Sequence, residues 1–139
     1  MVQAISEVMT PEVVTVPDTA TVAAAARCMG DMGIGDVVVT KDGRVCGIVT
    51  DRDITIRTVA AGQDPARTRV GDICSTHLTY LEAEDSVDDA IRIMREKALR
   101  RIPVLQDGQA VGIVSLGDLA LELDQRSVLA DISAAPLNS

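Results

Sequence analysis

Residues 47–53 read Gly-Ile-Val-Thr-Asp-Arg-Asp, a strand that ends in a hydroxyl residue and turns into a helix. The pattern returns at residues 112–118 as Gly-Ile-Val-Ser-Leu-Gly-Asp. Thr50 and Ser115 are good helix caps, and capping alone explains a single copy. A hydroxyl and the free N–H groups of a helix start also hold phosphate oxygens, and a carboxylate accepts hydrogen bonds from ribose hydroxyls. Because the segment occurs twice in register, we favour a site for a ligand with both phosphate and sugar over capping alone.

These two segments belong to a longer internal repeat. Residues 9–54 align with residues 74–119 without a gap, so that Val22 meets Val87 and Met29 meets Met94. A solenoid would contain more copies, and two copies predict a pseudo-two-fold pair. Because one copy is too small to bury its own sheet face, we expect the two copies to pack together.

The order of elements predicts an α+β fold with two βαββα repeats. In the first repeat we expect helices at 4–9, 22–32 and 51–60, and strands at 13–16, 37–40 and 45–49. In the second we expect helices at 70–74, 86–98 and 116–129, and strands at 78–81, 102–105 and 110–114. Asp-Gly pairs predict the hairpin turns at 42–43 and 107–108. Pro103 predicts an edge strand or a strand start.

The predicted domain bounds follow from this pattern. We place the first domain at residues 5–60 and the second at 70–130. The Gly, Pro and polar residues of 61–69 predict a linker, and residues 131–139 are expected to be a mobile tail.

Composition narrows the function classes. The chain has 139 residues, a net charge of −8, one Tyr and neither Phe nor Trp. The negative charge disfavours nucleic acid and anionic membranes as partners, and the lack of aromatics disfavours a base-stacking surface. No apolar run approaches the ~20 residues of a membrane span. The start of the chain lacks the basic region of a signal peptide, which predicts a cytoplasmic protein.

Metal and catalytic chemistry are not predicted. Cys28, Cys46 and Cys74 are widely spaced and accompany a single histidine, His77, so a zinc site is disfavoured. Cys28 and Cys46 read as small core residues, and Cys74 reads as the more exposed thiol. The pattern contains no nucleophile–base pair and no phosphate-binding loop, so we predict no catalytic residue, no required cofactor and no enzyme. Helix-dipole compensation explains the acids at 51 and 53.

The repeat resembles a tandem pair of CBS domains, the regulatory module of the cystathionine β-synthase type. The motifs that carry the resemblance are Val-Met-Thr-Pro at 8–11, the strand at 37–39, and Leu-Arg-Arg-Ile-Pro-Val at 99–104, together with 47–53 and 112–118. It covers about residues 5–121 and is closest to the stand-alone kind of CBS protein.

The resemblance implies regulation by adenine nucleotides. In this family the sheets of the two repeats face each other and leave two related clefts, which bind AMP, ADP, ATP or S-adenosylmethionine. Phosphate contact then falls on Thr50 and Ser115, and ribose contact on Asp53 and Asp118. Adenine would lie against neighbouring strand residues, which are Val14, Thr15 and Val38 in the first repeat and Thr79, Tyr80 and Pro103 in the second.

Basic residues before the middle strand face phosphate in this family, which implies that role for Arg100 and Arg101. The first repeat departs from the pattern with Gly35 and Asp36, so the two clefts are expected to differ. Arg52 offers partial compensation or is simply an exposed residue of the helix start. The resemblance also implies a homodimer formed through the helices that flank each repeat. The alternative function is a dimerisation or interaction module that binds no ligand.

Overall fold

The computed structural model describes residues 3–74 and 78–123, which form two three-stranded sheets. Residues 12–74, 78–79 and 106–110 make one compact unit, the first-repeat unit. Residues 3–11, 80–105 and 111–123 make the other, the second-repeat unit. The predicted α+β class with a repeated sheet-and-helix unit is confirmed. Within these described ranges, no helix is long and apolar enough to cross a bilayer.

The first-repeat unit contains a sheet in the order β1-β2-β3. Its strands are β1 (Thr15–Pro17), β2 (Asp36–Lys41) and β3 (Arg44–Thr50), with β1 parallel and β3 antiparallel to β2. The helix α1 spans Val22–Met32 as predicted, because Thr21 Oγ1 accepts from the Ala24 N–H at 3.1 Å and caps its start. Gly33 ends it in the left-handed region with φ +66°.

The helix after β3 has two parts. Asp51–Ile54 is the α-helix α2, and Thr55–Val59 continues as a π-helical turn. The single regular helix expected over 51–60 is therefore present as a helix with an irregular second half. The hydroxyl of the fully buried Thr58 lies in this turn. The short helix α3 (Val70–Ile73) follows, and the Arg57 guanidinium donates to the Ile73 carbonyl at 2.8 Å.

The second-repeat unit repeats the arrangement with β4 (Leu81–Glu82), β5 (Arg101–Gln106) and β6 (Gln109–Ser115). The helix α4 spans Val87–Lys97, and residues 116–123 form the described part of a further helix, α5. The predicted extension of α5 to 129 and the predicted mobile tail lie outside the described residues. Both hairpin turns are confirmed, with the Asp and the Gly of each at positive φ.

Pro103 corrects the sequence-based prediction. It lies in β5, which is the middle strand of its sheet rather than an edge. In the first repeat the equivalent Val38 N–H donates to the Val14 carbonyl at 2.9 Å. Proline has no N–H for that bond, and the neighbouring strand β4 is only two residues long. The strand expected at 78–81 is present only as Leu81–Glu82. Because this neighbour is short, the sheet can contain a proline in its middle strand.

The short segments that precede the two repeats are exchanged between the units. Thr10 pairs with Ile113 of β6 through two backbone hydrogen bonds of 2.8 and 3.0 Å, and Ile5 lies fully buried in the core of the second-repeat unit. Correspondingly, Val70 of α3 belongs to the core of the first-repeat unit, and its N–H donates to the Ala20 carbonyl at 2.8 Å. Each unit therefore contains the short segment that precedes the other repeat in the sequence.

Candidate functional site

The hydroxyl and the carboxylate of each signature segment form a capping box. Thr50 Oγ1 accepts from the Asp53 N–H at 3.1 Å, and Asp53 Oδ2 accepts from the Thr50 N–H at 2.9 Å. Ser115 and Asp118 repeat the arrangement at 3.0 and 2.9 Å. The capping interpretation is therefore confirmed in both repeats.

Capping uses only part of the hydrogen-bonding capacity of these side chains. A hydroxyl that accepts from an N–H still has its own proton to donate, and a carboxylate has about four acceptor sites. In the described part of the chain, Asp53 and Asp118 use one carboxylate oxygen each in the box. The same geometry that caps the helix leaves a donor and an acceptor for a further group.

Strand pairing places the other predicted residues of the first repeat beside this box. Val38 is paired with Thr15 on one side and with Ile48 on the other. Val37 and Val39 belong to the core cluster of the unit, and Val38 points to the opposite face of the sheet because side chains alternate along a strand. Val14 provides the carbonyl bonded to Val38. Thr15 and Val38 therefore share the non-helical face of the sheet, whereas the Val14 side chain packs against the core cluster on the other face.

The candidates of the second repeat occupy equivalent positions. Pro103 is buried in the middle strand, and Tyr80, which immediately precedes β4, is 47% exposed. Thr79 is half-buried and occupies the position equivalent to Val14. Because Pro103 lacks an N–H, the carbonyl at this position does not receive the bond that Val38 makes to Val14.

The charges around the two boxes differ in sign. Asp36 lies directly opposite Thr50 in the β2–β3 pairing, and Arg101 occupies the first position of the equivalent strand β5. The residues directly before these two strands are Gly35 and Arg100. The Gly35 carbonyl accepts from the first N–H of α2 at 2.9 Å, and the Arg100 carbonyl accepts from the first N–H of α5 at 2.7 Å. Arg52 is exposed on the first turn of α2. The first box therefore has an acid where the second has a base.

Arg100 also lines a cavity of about 470 Å³ between α4 and α5. Arg95 is at the same cavity, and its other walls are apolar, including Met94, Leu116 and Leu123. Arg100 therefore lies beside both α4 and α5, and its carbonyl is bonded to the first N–H of α5.

Two of the three cysteines form a pair that the sequence analysis missed. The thiols of Cys46 and Cys74 both pack against the core cluster of the first-repeat unit and lie close enough to interact, and burial raises the pKa of both. All three cysteines are half-buried, so Cys74 is not a fully exposed thiol. His77 lies outside the described residues. Among the residues that are described, no group of three or more His, Cys, Asp or Glu side chains is placed to hold a metal ion.

Comparison with known proteins decides the family. The CBS domain model matches residues 5–57 and again residues 70–124. The chain belongs to the CBS domain family. The tandem arrangement of its two CBS domains is that of a regulatory module.

Relatives of similar length match most of this chain. The chain is 38% identical to the CBS domain-containing protein YhcV of Bacillus subtilis, over 84% of this chain and 83% of the relative. It is 33% identical to hypoxic response protein 1 of Mycobacterium tuberculosis, over 92% and 90%. Among solved structures, a hexameric CBS-CP12 protein from bloom-forming cyanobacteria superposes with a TM-score of 0.81 at 32% identity, covering 89% of this chain and 74% of that one.

Proposed function

We propose that this CBS pair is a sensor of adenosine-containing ligands, with AMP, ADP, ATP and S-adenosylmethionine as the candidate class. The observation that carries the proposal is the duplicated capping box, Thr50 with Asp53 and Ser115 with Asp118, at equivalent strand ends. In each box the free hydroxyl proton would donate to phosphate, and the unused carboxylate oxygen would accept from the ribose hydroxyls.

Adenine would bind to the non-helical face of the sheet beside each box. In the first repeat this face carries Val38 between β1 and β3 with Thr15 next to it, and Val14 contributes the carbonyl that is bonded to the Val38 N–H. In the second repeat Pro103, Tyr80 and Thr79 are the equivalents. The Thr79 carbonyl is not bonded by Pro103, so it offers an acceptor that an adenine amino group would match.

The two sites would prefer different ligands. Asp36 opposite Thr50 repels the phosphate groups of a nucleotide, and Arg101 at the equivalent position attracts them. Two unit charges ~4 Å apart interact by about 4 kcal/mol at an effective dielectric constant near 20, and solvent reduces that value for half-exposed groups. Phosphate-rich ligands would therefore favour the second repeat, and uncharged or less phosphorylated adenosines the first.

The output would be conformational rather than catalytic. A ligand that binds one arrangement of the two repeats better than another shifts the equilibrium by its differential affinity. The chain would thereby report the nucleotide to a protein partner, with neither cofactor nor metal taking part.

Isothermal titration of the intact chain with AMP, ATP and S-adenosylmethionine tests this function. Asp53→Ala and Asp118→Ala remove the proposed ribose acceptors. Asp89→Ala is the matched control, because Asp89 forms the same capping box with Ser86 at the start of α4 and belongs to neither proposed site. We expect a loss of at least tenfold in affinity for the first two variants and unchanged affinity for the control. The absence of heat and of a thermal shift with all three ligands would refute the proposal.

A second candidate function is a dimerisation module that binds no ligand. Exposed apolar side chains on the helix layers favour it, including Ile56 and Val59 in the first repeat and Leu116, Leu121 and Leu123 in the second. The hexameric CBS-CP12 protein is a related structure that self-associates. A homodimer formed through the flanking helices would cover these side chains.

Light scattering with and without nucleotide separates the two functions. A dimer that Leu121→Glu disrupts, that Gln63→Glu preserves as a control for added charge outside the helices, and that no nucleotide changes would favour the interaction module. A dimer that coexists with nucleotide binding is compatible with the sensor.

A further inference from the structure

Cys46 and Cys74 come from distant parts of the chain and meet in the first-repeat unit. Cys46 is the third residue of β3, and Cys74 directly follows α3, in the segment that leads from the first repeat into the second. Both side chains pack against the same core cluster, which brings the two thiols close enough to interact. The Cys74 thiol also lies 3.6 Å from the Gly71 carbonyl.

The internal repeat independently supports this placement. Cys74 is equivalent to Met9, and Gly47, the neighbour of Cys46, is equivalent to Gly112. In the second-repeat unit the Met9 side chain lies directly against Gly112. The same stretch of strand is therefore approached by the equivalent preceding segment in both units, and Val111 of the second unit stands where the first has Cys46.

The surroundings hold α3 near β3. The Arg57 guanidinium donates to the Ile73 carbonyl, one residue before Cys74. The Gly71 Cα lies so close to Asp18 that an added Cβ would be 3.0 Å from the Asp18 carbonyl oxygen. These contacts keep the two thiols in reach of each other, which is the requirement for a disulfide without a large backbone movement.

We infer that Cys46 and Cys74 are a modification site at which a peroxide forms a reversible intrachain disulfide. The Cys46 thiolate attacks one peroxide oxygen, the O–O bond breaks, and water leaves after proton transfer. The sulfur of Cys74 then attacks the resulting sulfenic acid, the S–O bond breaks, and a second water leaves. The dithiol loses two electrons, and hydrogen peroxide gains them. A small thiol reverses the reaction by exchange.

The disulfide would fix the segment between the two repeats to the strand that ends at Thr50. In the reduced chain, non-covalent contacts hold this segment, including the Arg57–Ile73 hydrogen bond. Oxidation would therefore restrict the joint through which the two repeats are connected in sequence. This role is independent of the proposed nucleotide sites, because it uses neither capping box.

Peptide mapping of the peroxide-treated intact chain tests the inference. After alkylation of the remaining thiols, trypsin gives separate peptides for the three cysteines: 28–41, 45–52 and 70–92. We expect 45–52 joined to 70–92, restoration of both peptides by dithiothreitol, and peptide 28–41 in its alkylated form. Cys28→Ser should give the same cross-link, and Cys46→Ser or Cys74→Ser should abolish it.

Other outcomes would overturn the inference. These are a cross-link that includes peptide 28–41, a disulfide only between two copies of the chain, or three alkylatable thiols after peroxide treatment. The map of the wild-type chain decides the question even if a serine variant fails to fold. Circular dichroism of each variant identifies such a failure.

Discussion

The Met9 side chain occupies the space that a side chain at position 112 would require. An ideal Cβ on Gly112 would collide with the Met9 sulfur and would lie 2.9 Å from the Thr10 carbonyl oxygen. The backbone pairing of Thr10 with Ile113 fixes this approach. The glycine of the signature segment is therefore required by the segment that packs across β6.

Gly112→Ala is accordingly expected to destabilise the fold by about 1–3 kcal/mol, because the new methyl group overpacks a fixed backbone contact. Urea unfolding of the variant measures this. Gly30→Ala is the control, since a Cβ at that α1 position meets no heavy atom within 4 Å, and we expect it to stabilise by up to about 1 kcal/mol. Equal stability of Gly112→Ala and wild type would contradict the packing argument.

The capping boxes should also contribute to stability without ligand. Thr50→Ala and Ser115→Ala each remove an acceptor from a helix N–H, and we expect each to cost about 1 kcal/mol. Ser86→Ala provides a third box outside the proposed nucleotide sites for comparison. Chemical denaturation gives the three values. Ligand affinity should fall for Thr50→Ala and Ser115→Ala only.

The charge difference between the repeats predicts opposite effects of two substitutions. Asp36→Asn removes repulsion beside Thr50 and should raise ATP affinity at the first site by about three- to tenfold. Arg101→Gln removes attraction and should lower it at the second site by a similar factor. Titration with ATP measures both, and titration with adenosine is the control because it has no phosphate. Equal changes for ATP and adenosine would argue against an electrostatic origin.

The α4 capping box predicts an acid dependence of stability. Hydrogen bonds from the Ser86 side chain and backbone hold the pKa of Asp89 below its ordinary range, with Arg92 contributing further. A lowered pKa in the folded state means that the stabilisation is present above the unfolded pKa and is lost as pH falls through the folded value. Melting temperatures between about pH 5 and pH 2 should therefore fall more steeply for wild type than for Asp89→Asn. Parallel curves would contradict this assignment.

Oxidation of the cysteine pair should accelerate with pH. Burial, followed by the charge of Asp18, raises the pKa of Cys46, and burial also raises that of Cys74, while Lys41 and Arg57 act in the opposite direction. The reactive thiolate is therefore scarce at neutral pH, and below the pKa its population rises about tenfold per pH unit. Peroxide cross-linking followed by mass spectrometry between pH 7 and pH 9 measures the slope. A rate that does not change with pH would exclude thiolate attack as the slow step.

The sequence by itself determined the repeat, the fold class, the two hairpins and the two capping boxes. These features depend on local chemistry: Asp-Gly pairs favour positive φ, hydroxyl residues cap helices, and apolar residues recur at helical spacing. For the same reason α1 has the predicted bounds. The family resemblance then gave Thr50, Asp53, Ser115 and Asp118 their proposed roles, which remain predictions.

Only the tertiary structure decided which distant segments meet. Pro103 lies in a central strand, where the short neighbour β4 makes its missing N–H tolerable, although a proline alone favours an edge. The exchange of the segments around Ile5 and Val70 between the units depends on long-range backbone pairing, as does the meeting of Cys46 with Cys74. Local propensity does not encode such contacts, because they stabilise the fold only after two distant segments have met. Bringing those segments together costs conformational entropy of the intervening chain.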